Sequence, residues 1–256
     1  MSSPSSGSTD APARTDATIL GHAAPGAAEA LVRREMERAT GSPTLEGNHV
    51  GLQFEGANTF DAWLEAIDAA ERFVYFENYV VRDDRVGRVF RDALVAKALE
   101  GVPVYVIHDW LGCWATPRRY WKPLRRAGVE VRAFNRPSVK DPFGLLQRDH
   151  RKIVVIDGVT AFVGGFCVGK EWTGTATEPP WRDTGVDLRG PAALAAATAF
   201  ERLWSRMGPP VAQSASTLVT PEPAGGKPVW LIEGEPGLAR VYRALHLVAA
   251  RARQRL

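Results

Sequence analysis

Residues 73–110 read FVYFENYVVRDDRVGRVFRDALVAKALEGVPVYVIHDW. The run FVYFENYVV (73–81) is rich in aromatic and β-branched side chains and reads as a buried strand. Asp83 or Asp84 can cap the helix that follows from Val86 to Leu99, and Gly101 ends it. VPVYVIHDW (102–110) is then a second apolar strand. Strand, helix and strand in that order give an α/β layered core, a sheet flanked by helices.

The alternation continues on both sides of this stretch. Upstream, VGLQF (50–54) reads as a strand and a helix starts at Asn58. Downstream come a helix around Trp121–Ala127, a stop at Gly128 and the strand VEVRAF (129–134). After a loop from Asn135 to Leu146 that holds Pro137 and Pro142, HRKIVVID (150–157) and TAFVGG (160–165) form a hairpin-like pair turned at Asp157-Gly158. DTGVDLRG (183–190) is a strand with a polar lead-in, and an Ala-rich helix runs from Pro191 to about Arg206.

The ends differ from this core. Residues 1–26 hold almost no large apolar side chain and are expected to be a disordered tail. Residues 27–46 supply a short surface helix (27–40) and a linker, residues 47–208 the α/β domain, and residues 209–228 a second linker rich in Pro, Ser, Thr and Gly. EGEPGLARVYRALHLVAARARQRL (233–256) lies over EGANTFDAWLEAIDAAERFVYF (55–76), with VWLI (229–232) in the place of VGLQF. Residues 229–256 are therefore expected to be the incomplete start of a second repeat.

Composition narrows the class of function. The 256 residues are 45% apolar and 24% charged, which excludes a largely disordered, collagen-like or coiled-coil chain. A formal net charge of +3, with basic residues interleaved among acids, argues against nucleic acid as a partner. Cys113 and Cys167 are too few for a disulfide framework, and no Cys/His cluster has zinc-ligand spacing. No run approaches the ~18 consecutive apolar residues of a membrane span, and the N-terminus lacks a secretory pattern; the expectation is a cytoplasmic protein, at most peripheral to a membrane.

The densest chemistry is His150-Arg151-Lys152, four apolar residues, Asp157, then Gly164-Gly165. In extended backbone, residues two apart project to one face, so His150 and Lys152 point together as a nucleophile or base beside a cation, and Arg151 points away. Asp157 reads equally as catalytic or as part of a turn, and the glycine pair allows close approach of backbone to a bound anion. Glu77 is a polar interruption of an apolar strand, either a site residue or one half of a pair with arginine. Asp109 stands at the carboxyl end of its strand, where open α/β sheets place ligands. His108 reads as a packed strand residue.

These residues resemble the phospholipase D superfamily signature HxKxxxxDxxxxxxG. Together with RAGVEVRAFNRP, PFGLLQRDHRKIVVIDG and WRDTGVDLRGPAA, residues 47–207 resemble the N-terminal half of bacterial cardiolipin synthases. The resemblance implies a phospholipase D-like sheet flanked by helices and a reaction that uses neither a metal nor any other cofactor. In it His150 attacks a phosphodiester phosphorus and forms a phosphohistidine, Lys152 holds the non-bridging oxygens, Asp157 completes the motif, and Asp183 orients the histidine. It also implies an anionic phospholipid substrate and a membrane surface, peripheral to the inner membrane.

The sequence departs from the family pattern at Cys167 and Gly185, where relatives often carry Asn and His. Family members normally carry two motifs, and none of His22, His49, His108 and His246 is followed by Lys two positions on. Three functions follow: a truncated phosphatidyltransferase that lacks a C-terminal half, a single-motif phosphodiesterase or nuclease completed by homodimerisation, or an inactive lipid-binding remnant.

Overall fold

The computed structural model describes residues 25–137, 147–212, 220–234 and 239–252; the expected N-terminal tail and parts of the expected loop and linkers lie outside them. The helices are α1 (Pro25–Thr40), α2 (Gly56–Asp68), α3 (Arg85–Leu99), α4 (Arg118–Arg126), α5 (Pro191–Arg206) and α6 (Arg240–Arg251). The strands are β1 (Leu45–Gln53), β2 (Val74–Asn78), β3 (Val104–Asp109), β4 (Glu130–Phe134), β5 (Ile153–Ile156), β6 (Thr160–Gly164), β7 (Gly185–Arg189) and β8 (Lys227–Val229). They form one sheet in the order β4-β3-β2-β5-β6-β7-β1-β8. β2, β3 and β4 are mutually parallel, joined by helical crossovers, whereas β5 to β7 and β1 pair antiparallel.

Alternation along the central strands creates two cores. Val74, Phe76, Val106, Val154, Ile156 and Phe162 face α2, α3 and α4, where Phe60, Trp63, Phe90 and Leu124 meet them. Phe73, Tyr75, Tyr105, Ile107, Ile153 and Val155 face α5. Ala192, Ala193, Ala196 and Ala197 bring α5 close to the sheet, and Phe200 stacks on Tyr75 with centroids 4.5 Å apart. The Tyr75 hydroxyl donates to Glu201 at 2.7 Å, which satisfies a polar pair inside that layer. This is the layered α/β sheet that the sequence implies, and Asp84 caps α3 by accepting the Gly87 amide at 2.9 Å.

Several local expectations shift. β1 starts at Leu45 rather than Val50, because its polar first half is held by pairing to β8 and not by an apolar pattern. α4 starts at Arg118, before the stretch the sequence marks, and contains Pro123. The strand expected to start at His150 starts at Ile153; His150 and Lys152 lie in irregular backbone just ahead of it. Of VWLI only Val229 belongs to a strand, since β8 ends there, and β8 adds antiparallel to β1 as the edge of this sheet. α6 packs on α1, with Arg251 paired to Glu35.

Asp157 is part of a turn. It adopts φ 57°, and its carboxylate accepts the backbone amides of Glu71, Arg72 and Phe73 at 3.0, 2.8 and 2.9 Å. The turn thus clamps the entry into β2, one strand length away from His150. Asp157→Asn, which tolerates the left-handed backbone, replaces one acceptor oxygen by a donor and is expected to cost about 1–2 kcal/mol in urea unfolding. His150→Ala, at an exposed position, is expected to change stability by about 0.5 kcal/mol or less. Unaltered stability in Asp157→Asn would contradict the clamp.

His108 stacks on Trp121 at 4.1 Å and is buried, which pushes its pKa down to about 4. The unfolded chain takes up this proton near 6.5, so the contribution is complete above 6.5 and is lost as pH falls toward 4, about 3 kcal/mol in all. His108→Phe is expected to flatten that limb of the stability–pH curve; an unchanged limb would show that His108 is not its source.

Candidate active site

His150 is exposed at the carboxyl end of β2 and β3, and its ring lies against Tyr79 with centroids 4.5 Å apart. Lys152 is only 4% exposed; its Nζ donates to the His150 carbonyl at 2.6 Å and sits 5.3 Å from the centre of the Tyr79 ring. An ammonium over an aromatic face is favourable, and two of its three donors remain for another acceptor. The structure therefore brings His150 and Lys152 to one side of the chain, as their spacing requires. Burial, followed by the Lys152 charge, holds the His150 pKa below the ordinary histidine value, while Asp149, Asp109 and Asp183 pull it back. Burial also lowers Lys152, opposed by Cys167, Asp149, Asp183 and Glu77.

Arg151 points to the opposite side, into the α5 layer. It forms a bidentate pair with the fully buried Glu77, Nε to Oε1 at 2.5 Å and Nη2 to Oε2 at 2.8 Å. Its Nη1 reaches Glu233 at 3.1 Å, and Glu233 also pairs with Arg202. Glu77 is thus paired with arginine and holds the segment that carries His150. Burial pushes its carboxyl up to about 8, against the pull of Arg151; burial raises Asp149 as well.

Asp109 works from below. Its Oδ1 accepts the amides of Leu111 and Gly112, both at 2.8 Å, and its Oδ2 accepts the amide of Asp149 at 3.1 Å. The end of β3 is thereby tied to the residue before His150. Asp109 and Glu77 support the site from inside the sheet and do not line its open face.

Asp183 comes near enough to act on the charges of His150 and Lys152 but makes no hydrogen bond to the histidine. Its Oδ2 accepts the Trp172 indole at 3.1 Å and its Oδ1 the Thr184 amide at 2.9 Å. Direct orientation of His150 is therefore absent from this arrangement, and among the described residues no side-chain hydrogen bond reaches its ring. The glycine pair makes room for protein: a Cβ on Gly165 would lie 1.7 Å from Asp183 Oδ1, and one on Gly164 2.5 Å from the Gly185 Cα. The close approach expected there is that of the Asp183 carboxylate and of β7. Asp157 stays outside the site.

Cys167 is buried with its thiol pushed up by burial, an unreactive state, and burial pushes Cys113 up to about 12. Among the described residues no group of three or more His, Cys, Asp or Glu side chains is placed to hold a metal ion. Sequence reasoning missed Tyr79, Asp149 and Asn78. Tyr79 was hidden inside an apolar run, and Asp149 directly precedes His150, a signal that was legible. Asn78 donates to the Phe166 carbonyl at 3.3 Å and leaves its buried Oδ1 without a partner.

Comparison with known proteins agrees with this geometry. The model of the family described as cardiolipin synthase, PLD-like domain, matches residues 63–204. Cardiolipin synthase A of Pseudomonas fluorescens is 42% identical over 173 residues, which are 67% of this chain and 36% of that protein. Cardiolipin synthase A of Pseudomonas putida is 38% identical over 183 residues, 70% of this chain and 38% of that protein. The chain spans little more than a third of these relatives. Among solved structures, phosphatidylserine synthase of Haemophilus influenzae shares the fold, with a TM-score of 0.53 and 15% identity, covering 86% of this chain and 47% of that one. The family match extends over more than half of the chain and includes the His150–Lys152 segment, and the chain belongs to the cardiolipin synthase family of phospholipase D-like domains.

Proposed function

We propose that this chain carries one half-site of a phospholipase D-type phosphatidyltransferase or phosphodiesterase that acts on phosphatidylglycerol-like lipids. The observation that carries the reading is the exposed His150 imidazole set beside a buried, largely unspent ammonium, Lys152, with no second histidine lining the cavity at His150 among the described residues. An imidazole nitrogen of His150 attacks phosphorus and the P–O bond to the leaving alcohol breaks, which gives a phosphohistidine. Lys152 meets the charge that builds on the non-bridging oxygens. An acceptor hydroxyl, having given up its proton, then attacks phosphorus, and the N–P bond breaks to restore His150. With phosphatidylglycerol as donor the released alcohol is glycerol; a second phosphatidylglycerol as acceptor gives cardiolipin, and water gives phosphatidic acid.

The leaving alkoxide needs a proton from an acid on the far side of phosphorus. In this reading the acid is a histidine outside this half-site, supplied either by a C-terminal half or by a second copy of the chain, and the work is done at a membrane surface. Among the described residues no helix is long and apolar enough to cross a bilayer. Asp157 is a structural member of the motif, Asp109 and Glu77 act as positioning residues, and Asp183 acts on His150 and Lys152 through its charge.

Release of glycerol from phosphatidylglycerol in mixed micelles tests the assignment. His150→Ala is expected to abolish turnover, and Lys152→Met to lower it by about 100-fold or more. If a second copy supplies the acid, activity per chain rises with protein concentration; if a C-terminal half does, turnover appears only when that half is added. Turnover that survives in His150→Ala would overturn the assignment. The depressed His150 pKa sets a further expectation. The neutral imidazole persists below the ordinary histidine range, so its NMR titration midpoint lies under 6.5 and moves upward in Lys152→Met. A midpoint unmoved by that change would contradict the Lys152–His150 coupling.

A further inference from the structure

Tyr79 follows β2 directly and is half-buried. Its carbonyl accepts the Cys113 thiol at 3.6 Å, the Val80 carbonyl accepts the Val168 amide at 3.0 Å, and the Val81 amide donates to the Cys113 sulfur at 3.2 Å. Gly112 backs it so closely that a Cβ there would lie 2.0 Å from the Tyr79 carbonyl oxygen and 3.1 Å from its ring Cδ2. The Gly112 amide donates to Asp109 Oδ1 at 2.8 Å, and the Asp149 amide donates to Oδ2 of the same carboxylate at 3.1 Å. One side chain thus fixes both the turn behind Tyr79 and the residue before His150, and sets the two rings against each other.

The contact that results is close. The His150 and Tyr79 ring centroids are 4.5 Å apart with their planes inclined at 57°, and Lys152 Nζ stands 5.3 Å from the centre of the Tyr79 ring. The Tyr79 hydroxyl makes no hydrogen bond among the described residues. The outer torsion of a histidine side chain is soft, so an imidazole that no side chain hydrogen-bonds turns freely unless something packs against it. The face of a phenol ring also attracts cations. It favours the Lys152 ammonium, and it favours the cation that an imidazole becomes when one nitrogen gives its lone pair to phosphorus.

We propose that Tyr79 is a positioning residue for His150: its aromatic ring, in the absence of a hydrogen-bonded carboxylate, holds the imidazole in place and gathers His150 and Lys152 on one platform. This rests on the reading of His150 as nucleophile. The ring does the holding, and the hydroxyl is dispensable because it bonds to nothing among the described residues. The charges that act on His150 are those of Lys152, Asp149, Asp109 and Asp183, and a change at Tyr79 removes none of them.

Three variants of the purified chain test this. Tyr79→Leu removes the ring and keeps most of its bulk, Tyr79→Met gives a more pliable filling should the leucine variant not fold, and Tyr79→Phe keeps the ring. The readouts are the NMR titration midpoint of His150, with that of the buried His108 as internal control, and phosphoryl transfer to His150 from a p-nitrophenyl phosphodiester. In Tyr79→Leu the His150 midpoint is expected to fall by about half a unit, as the cation loses its aromatic partner, while that of His108 stays. The saturating rate of adduct formation is expected to fall about 30-fold while the half-saturating concentration moves less than about threefold, because a misplaced nucleophile reacts slowly without binding poorly. Tyr79→Phe is expected to rescue both. An unmoved His150 midpoint in Tyr79→Leu overturns the proposal, as does an equal loss in Tyr79→Phe, which would assign the effect to the hydroxyl. A His108 midpoint that moves with it marks a general loosening and overturns it too. If the parent chain forms no adduct on His150, the nucleophile reading fails, and the titrations alone decide whether Tyr79 holds the imidazole.

Discussion

The ion pair between Glu77 and Arg151 is the constraint around which the His150 segment is arranged. A carboxylate in the middle of the central strand is costly to bury unless a cation meets it in full, and Arg151 does so with two donors. Because adjacent residues of extended backbone face opposite ways, anchoring Arg151 in the α5 layer directs His150 and Lys152 to the other side of the sheet. Removing one partner of such a buried pair typically costs about 3–5 kcal/mol, since the other charge is left without compensation. The same guanidinium reaches Glu233, so the segment that follows β8 is tied to the residue beside His150. Asp109 adds a second hold through the Asp149 amide. The irregular stretch ahead of β5 is therefore fixed by side chains where the ladder of the sheet does not reach.

Much of this was legible in the sequence, for physical reasons that differ by element. The strands around Phe76 and Ile107 announce themselves because both faces are buried, so their apolar runs are unbroken. The bounds of α5 follow from Pro191 at its start and the stripe of alanines that lets it approach the sheet. The side-by-side display of His150 and Lys152 follows from the alternation of extended backbone, even though the regular strand starts only at Ile153. The choice between a free and a paired Glu77 depended on a contact 74 residues away in sequence, which no local pattern encodes.

Other features were hidden or misleading. β8 was legible only at Val229, the one residue it shares with the expected strand 229–232, and its pairing to β1 was not, because an edge strand of three residues carries almost no periodicity. Asp157 belongs to the signature by position, yet its three amide partners come from the junction between α2 and β2, away from His150. The glycine pair was expected to make room for an anion, and it makes room for the Asp183 carboxylate. Tyr79 looked like one more aromatic residue of a core strand and instead forms the surface against which both His150 and Lys152 lie.

The proposed chemistry needs a nucleophile, an anion-stabilising cation and an acid, and in it the acid comes from elsewhere. A phosphodiester whose leaving group needs no protonation removes that requirement. Incubating the purified chain with a p-nitrophenyl phosphodiester, then quenching and mapping the mass of the peptide that contains residue 150, is the most direct measurement. The account predicts a burst of nitrophenolate of about one per chain and a phosphoryl adduct on His150, formed at a rate per chain that does not depend on protein concentration. The absence of any adduct, or an adduct on another residue with His150 unmodified, would contradict it.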